Sequence, residues 1–214
     1  MNIATRNLTL AALVLAAAGC GSTAGYKQAD RTGERINTYR NDVANIKAAV
    51  DGSMKALDAL AAAASTDPRK AYDKYAKSVD KVESAAETAK KNAEKMQAQG
   101  ADYFKEWQAQ LDTVKNEEIR ALAAERKAKL QDTFANIKKV SQDAKTSFPP
   151  FLSDLKDLRT ALGSDITVQG IDAAKGAFQK TRANGVEVQK NLDALVGELN
   201  SVVAAITAAR AKAK

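Results

Sequence analysis

The 214-residue chain has no histidine, one cysteine, three prolines and only eleven aromatic side chains. Without histidine, the commonest general base and the usual nucleophile–histidine–acid arrangements are excluded. Zinc and iron sites lose imidazole, and a single thiol makes neither a disulfide framework nor a thiolate cluster. The carboxylate pairs Glu117–Glu118 and Asp154–Asp157 lack the oxygen-rich loop spacing that calcium needs, and read as solvated helix surface. Gly19, Gly21 and Gly25 follow no strand and make no phosphate loop. No segment alternates apolar and polar residues as a strand does. These absences point to a protein that is not an enzyme, with no cofactor and no metal.

What is present is alanine, lysine, aspartate and glutamine, the composition of long helices. The lone cysteine sits in LAAAGCGS (15–22), behind the apolar run LTLAALVLAAA (8–18) and a short n-region containing Arg6. That run is too short to span a bilayer permanently and reads as an export signal. A cysteine directly after Ala-Ala-Gly resembles the bacterial lipobox, in which cleavage precedes the cysteine and its thiol is acylated. Residues 1–19 are therefore expected to be a lipoprotein signal peptide, with Cys20 the lipidated first residue of the mature chain and 20–25 a short spacer. Two or three acyl chains make such an attachment stable where one is marginal. The resemblance to bacterial lipoproteins further implies, with Gly21 in place of aspartate after the cysteine, an outer-membrane destination with the body facing the periplasm.

Beyond the spacer, one signal repeats. Ile36, Tyr39, Val43, Ile46, Val50, Met54, Leu57 and Leu60 step by three and four, placing an apolar stripe along one helix face. STDP (65–68) stops that helix, with Asp67 or Thr66 able to cap the next and Pro68 suited to its first turn. The stripe resumes at Tyr72, Tyr75, Val79, Val82, Ala86, Ala89, Ala93 and Met96, passes Gly100, and runs through Tyr103, Trp107 and Leu111. Its phase slips near Glu117 and Glu118, and Ile119, Leu122, Leu130, Phe134 and Ile137 carry it on. Pro149–Pro150 reads as the next firm stop. From Ile171 to Ala209 the rhythm holds without a slip, the mark of supercoiled helices.

The pattern predicts an all-α protein, an elongated antiparallel three-helix bundle or coiled-coil rod over residues 26–212. A helix of about 40 residues leads out, one of nearly 80 (68 to about 146) returns, and a third, broken near 163, lies alongside. Alanines 86, 89 and 93 allow close helix approach. The period leaves open whether the bundle closes on itself or borrows a helix from a second copy, as a homo-oligomer.

The stretch ADYFKEWQAQLDTVKNEEIRALA (101–123) resembles an uncharacterised family of Gram-negative bacterial lipoproteins, a domain of unknown function. Phe104, Glu106–Trp107, Leu111, Asn116 and Ile119–Arg120 carry the resemblance, and Pro150, Phe151, Leu155–Lys156 and Leu162 fit the same layout, loosely from Tyr26 to Ile206. It departs after Leu158. The resemblance implies anchoring and a coiled-coil architecture, and no activity.

Tyr103, Phe104 and Trp107 form the densest aromatic cluster and the candidate partner contact. Tyr103 and Trp107 fall on the apolar stripe, whereas Phe104 lies off it and is the expected exposed contact. Excluding the signal, 32 basic residues face 26 acidic ones, spread thinly along the sequence. Export makes nucleic acid implausible, and points instead to an envelope protein, anionic lipid or cell-wall polymer as partner. Two functions follow as expectations: a non-enzymatic envelope scaffold or spacer, or a periplasmic carrier or chaperone that clamps lipids or apolar clients between splayed helices.

Overall fold

The computed structural model describes residues 24–211, so the expected signal peptide and Cys20 lie outside the described residues. Within them the chain is all-α, as the periodicity requires: α1 (Ala24–Ala62), α2 (Pro68–Asp112), α3 (Glu117–Ser164), α4 (Val168–Ala173) and α5 (Lys175–Ala211). The long helices are four, not three, and the sequence reading is corrected at three places: within the expected 68–146 helix, at the proline pair, and near 163, where the expected break in one helix is a full reversal through 165–174 that sets α5 antiparallel to α3.

The first is that no helix runs from 68 to 146. The α2 chain end is turned by Thr113, whose amide donates to the Gln110 carbonyl at 3.1 Å and whose hydroxyl donates to the same oxygen at 2.7 Å. Asn116 then caps a new helix, its side chain accepting from the Ile119 amide at 3.1 Å. Glu117 and Glu118 occupy the first turn of α3, where carboxylates favour the positive end of the helix dipole. What reads as a phase slip is a cap.

The second is that Pro149 and Pro150 do not stop α3, which contains both. They remove two amides and cost about 3 kcal/mol or more for an interior position. Past them Phe151, Leu155, Leu158 and Leu162 are all buried on the same stripe as Ile137 and Ala144. Burying four such side chains stabilises by roughly 6–12 kcal/mol, which outweighs the break. Thr146 and Ser147 donate to the carbonyls of Gln142 and Asp143 just ahead of it, as hydroxyls do where helices bend.

The cap that the sequence suggests between α1 and α2 is in place. Asp67 accepts from the Lys70 amide at 3.3 Å and Pro68 occupies the first turn of α2. At the other reversal Thr167 caps α4, accepting from the Gly170 amide at 3.1 Å.

Each long helix neighbours two others, in the cycle α1–α2–α3–α5–α1. Cross-contacts show that every neighbour is antiparallel. Asn92 donates to Asp42 between α2 and α1; Tyr75 Oη donates to the Leu155 carbonyl at 2.7 Å and Lys127 Nζ to Gln108 at 2.5 Å between α2 and α3. Lys180 and Asn184 both reach Asp154 between α5 and α3, and Lys47 pairs with Asp193 between α1 and α5. The result is an up-down-up-down four-helix bundle. The 48 residues of α3 make it about 72 Å long at about 1.5 Å per residue. One end gathers the start of α1, the α2–α3 turn and the end of α5. The other holds the 63–67 and 165–174 connections.

The core is the predicted stripe: Ile36, Val43, Val50, Leu57, Tyr75, Val79, Val82, Leu192, Leu195 and Leu199 are buried. At Gly185 the bundle is thin by necessity, since an added Cβ would stand 3.0 Å from a Phe151 ring carbon and closer still to Met54.

Asn116→Ala separates a cap from a helix interior by sign. Removal of the cap is expected to lower stability by about 1 kcal/mol in urea unfolding. Alanine in the middle of a continuous helix would raise it by a few tenths.

Candidate functional site

Of the four pairs of neighbouring long helices, α2 and α3 touch least. The cause is in the side chains: α2 presents Ala86, Ala89 and Ala93, and α3 presents Ala144 and Pro149, none of which reaches across. Alanines 86, 89 and 93, where the sequence predicts close helix approach, line this side of the gap. Toward α3 they leave a slot of about 550 Å³. This lies within the range of small-molecule sites, which are concave and mostly apolar.

The slot is open to solvent along α2 and α3 and floored by the far helices, through Val43 and Ile46 of α1 and Leu192 and Leu195 of α5. Phe148 and Leu152 line its α3 wall. Toward the connection end it is closed by Tyr72 and Tyr75, which donate to the Arg159 and Leu155 carbonyls. Two ion pairs strap the helices there, Lys156–Glu83 at 2.9 Å and Arg159–Asp80 at 2.6 Å. Toward the turn end, buried Gly100 lets the Phe134 ring lie against the α2 backbone and shut the gap.

Polar groups are few and placed. On the floor Tyr39 Oη and Ser141 Oγ are 3.5 Å apart. Burial pushes the Tyr39 phenol above its ordinary value, with the nearby Asp42 adding to the rise and the Ser141 contact opposing it. It is therefore a neutral hydroxyl throughout the physiological range, able to donate or accept one hydrogen bond. Glu83, Glu87, Lys90, Glu94, Gln97 and Lys145 form the rim. The arrangement can bind and orient an apolar body with a single polar handle. Among the described residues no cluster of three or more His, Cys, Asp or Glu is placed to hold a metal, and no helix is long and apolar enough to cross a membrane.

The three aromatic residues singled out by sequence are together, but not in the slot. Tyr103 is buried, its ring centroid 5.5 Å from Phe104 and 5.4 Å from Trp107. Desolvation pushes the Tyr103 phenol up to about 12, with Arg126 opposing. Phe104 is not the exposed contact expected of it. It is half-buried, edge-on to Phe134 at 5.3 Å and 83°. The reversal at 113–116 is the reason, since it brings α3 back across the face that a continuous helix would have left open. Trp107 is half-buried in the same cluster, which packs the turn end of the hairpin. The slot residues Ser141, Ala144 and Pro149 carry no motif. Their only signal in sequence is the coincidence of an alanine row with a proline pair, which becomes meaningful once α2 and α3 are known to be neighbours.

The family described as "Protein of unknown function (DUF2959)" matches residues 20–208, and the chain belongs to it. Nothing among curated proteins matches, and no solved structure matches.

The strap at the edge of the slot is pH-sensitive in one direction. The Lys156 ammonium beside Glu83 holds its carboxyl below the usual value. A depressed carboxyl contributes stability above its unfolded value and loses it as pH falls through the folded one. Wild type is expected to lose stability between about pH 5 and pH 3, and Glu83→Gln to lose less over that window, in urea midpoints taken at both ends. Equal losses would remove Glu83 from the strap.

Proposed function

We propose that this member of the DUF2959 family is a non-enzymatic binding module of the bacterial envelope. Acylated Cys20 holds it to the outer membrane, facing the periplasm, and the α2–α3 slot receives the apolar part of a lipid or client. The observation that supports this reading is the slot itself, a groove of about 550 Å³ with an aliphatic floor. Closing it would need only larger residues at positions 86 and 144, where the chain has alanine.

The expected affinity follows from the chemistry. Each methylene moved from water to an apolar floor gains about 0.8 kcal/mol, yet a single 14-carbon chain partitions into a whole bilayer with a constant of only about 10⁴ M⁻¹. A slot that covers one side of such a chain binds in the micromolar range or more weakly. That suits exchange of cargo and not permanent retention.

The length of the bundle supports a second reading, in which the rod acts as an envelope spacer. The two differ in whether the slot matters. With a fluorescent C18 fatty acid as probe, the purified protein is expected to show saturable micromolar binding, lowered tenfold or more by Ala86→Phe. Ala98→Phe, a change of equal size at an exposed position outside the slot, is expected to leave binding intact. No binding, or binding indifferent to Ala86→Phe, would leave the spacer. Anchoring is tested separately, because Cys20→Ser is expected to abolish fatty-acid labelling and release the protein from membranes.

A further inference from the structure

Two hydroxyls on the floor of the slot have no good partner within the bundle. Tyr39 is 5% and Ser141 4% exposed, both line the slot, and their oxygens are 3.5 Å apart. A hydroxyl–hydroxyl bond is best at about 2.8 Å, so each satisfies the other poorly. Even as a bond, the contact uses one of the two protons, and the other has no acceptor among the described residues. Nearby groups are treated differently. The Tyr72 and Tyr75 hydroxyls donate to carbonyls at 2.9 and 2.7 Å. Thr133, Thr146 and Thr160 of α3 each donate to the carbonyl one turn back, whereas Ser141 on the same helix meets Tyr39 instead. Burying ill-paired hydroxyls lowers stability, so their place in an open slot points to an acceptor brought by a ligand.

The surroundings select that acceptor. One oxygen seated about 2.8 Å from each hydroxyl accepts from both. An anion is disfavoured there, because the buried Asp42 carboxylate lies one turn along α1, held by Asn92 at 2.7 Å. Burial raises the Tyr39 phenol and Asp42 adds to the rise, which shows how close its charge acts. A second negative charge in this apolar floor meets both repulsion and desolvation. The rim does not offset them: Lys156 takes Glu83, and Glu87 and Glu94 balance Lys90 and Lys145. An extended peptide fits no better, since it carries a donor or acceptor at every step and below the rim only Tyr39 and Ser141 have polar side chains. The pair also stands at one end of the slot, on the turn side. Eleven residues of α3, about 16 Å of helix, separate Ser141 from Leu152, and Ala144 and Phe148 between them offer only carbon.

We infer that the slot takes an acyl chain through its ester: the carbonyl oxygen accepts from the Tyr39 and Ser141 hydroxyls, the chain runs along α3 toward Leu152, and the glycerol head leaves through the open side between α2 and α3. The inference rests on the reading of the slot as a binding site and names its ligand class, a glycerol ester in preference to a free fatty acid. An ionised fatty acid still enters by its chain, but keeps its carboxylate in water and leaves the hydroxyls unpaired.

The test is displacement of the fluorescent C18 fatty acid from the purified protein by oleate, monoolein and oleoyl-lysophosphatidylethanolamine, which share one chain. Both esters are expected to displace it at about fivefold lower concentration than oleate, the effect of about one net hydrogen bond. Whichever ester acts at the lower concentration tells a glyceride from a phospholipid as the source. Tyr39→Phe and Ser141→Ala each remove one oxygen, and are expected to bring the esters within about twofold of oleate while oleate itself is unchanged. Because neither oxygen has a good partner within the protein, neither variant is expected to lower the urea midpoint, which separates an effect on ligand from one on fold. Monoolein with an isotopically labelled carbonyl is expected to show, when bound, an infrared band below its position in hexane, with the displacement smaller in both variants. Oleate that competes as well as the esters, or an undisplaced band, while Ala86→Phe still blocks all three, overturns the ester and leaves the slot standing. A capped leucine tetrapeptide that outcompetes monoolein overturns it in favour of a peptide client. Binding of none of them, the fluorescent probe included, overturns the slot and the ester together.

Discussion

The Asn116 side chain accepts the Ile119 amide at 3.1 Å, starting α3 four residues after α2 ends. A bundle of this kind has one thin apolar stripe per helix and must cover all of it. The 39 residues of α1 could cover only half of a continuous helix from 68 to 146. With the reversal, four helices of 37 to 48 residues become nearly co-extensive, and each stripe finds two neighbours. The up-down order, the buried aromatic cluster behind the turn and the meeting of the turn with the start of α1 all descend from it.

What holds the helices once they are paired is burial more than charge. The ten ion pairs among the described residues are largely solvent-exposed, and exposed pairs contribute about 0–1 kcal/mol each. A single buried leucine contributes as much as several of them. Register is set more sharply by directional contacts at particular levels, such as the Tyr75 hydroxyl on the Leu155 carbonyl and Asp154 between Lys180 and Asn184. Where side chains are too small to fill the space between helices, at Ala86 and Ala144, the core thins and the slot opens. The prolines of α3 stand at that level, so the helix is weakest where the bundle is least filled.

Much of this was legible in the sequence. The stripes of α1, α2 and α5 name the core almost residue by residue, because burial on a long helix has no other solution than a repeat of three and four. Asp67 and Pro68 mark the first reversal by their chemistry. The middle of the chain was harder, for a physical reason in each case. Asn116 with two following glutamates is a cap, but the apolar rhythm on both sides of it masks the break. Pro149–Pro150 is a strong local stop that four buried side chains override. Phe104 lies off its own helix's stripe, and only the return of α3 supplies Phe134 to cover it. The slot belongs to no local pattern at all, since it assembles residues dozens of positions apart.

Membership of the DUF2959 family covers nearly the whole described body, so the family shares this stretch as one unit and not as a small module within it. The slot reading offered for it depends on α2 and α3 being antiparallel neighbours. Spin labels at Lys95→Cys and Lys139→Cys, both exposed, measure that pairing directly by pulsed dipolar spectroscopy. Gly100 against Phe134 puts positions 95 and 139 at the same level of the hairpin, and a single distance below about 30 Å is predicted. One helix running through 113–116 would separate them by about 66 Å, and that distance would contradict the fold and the slot built on it.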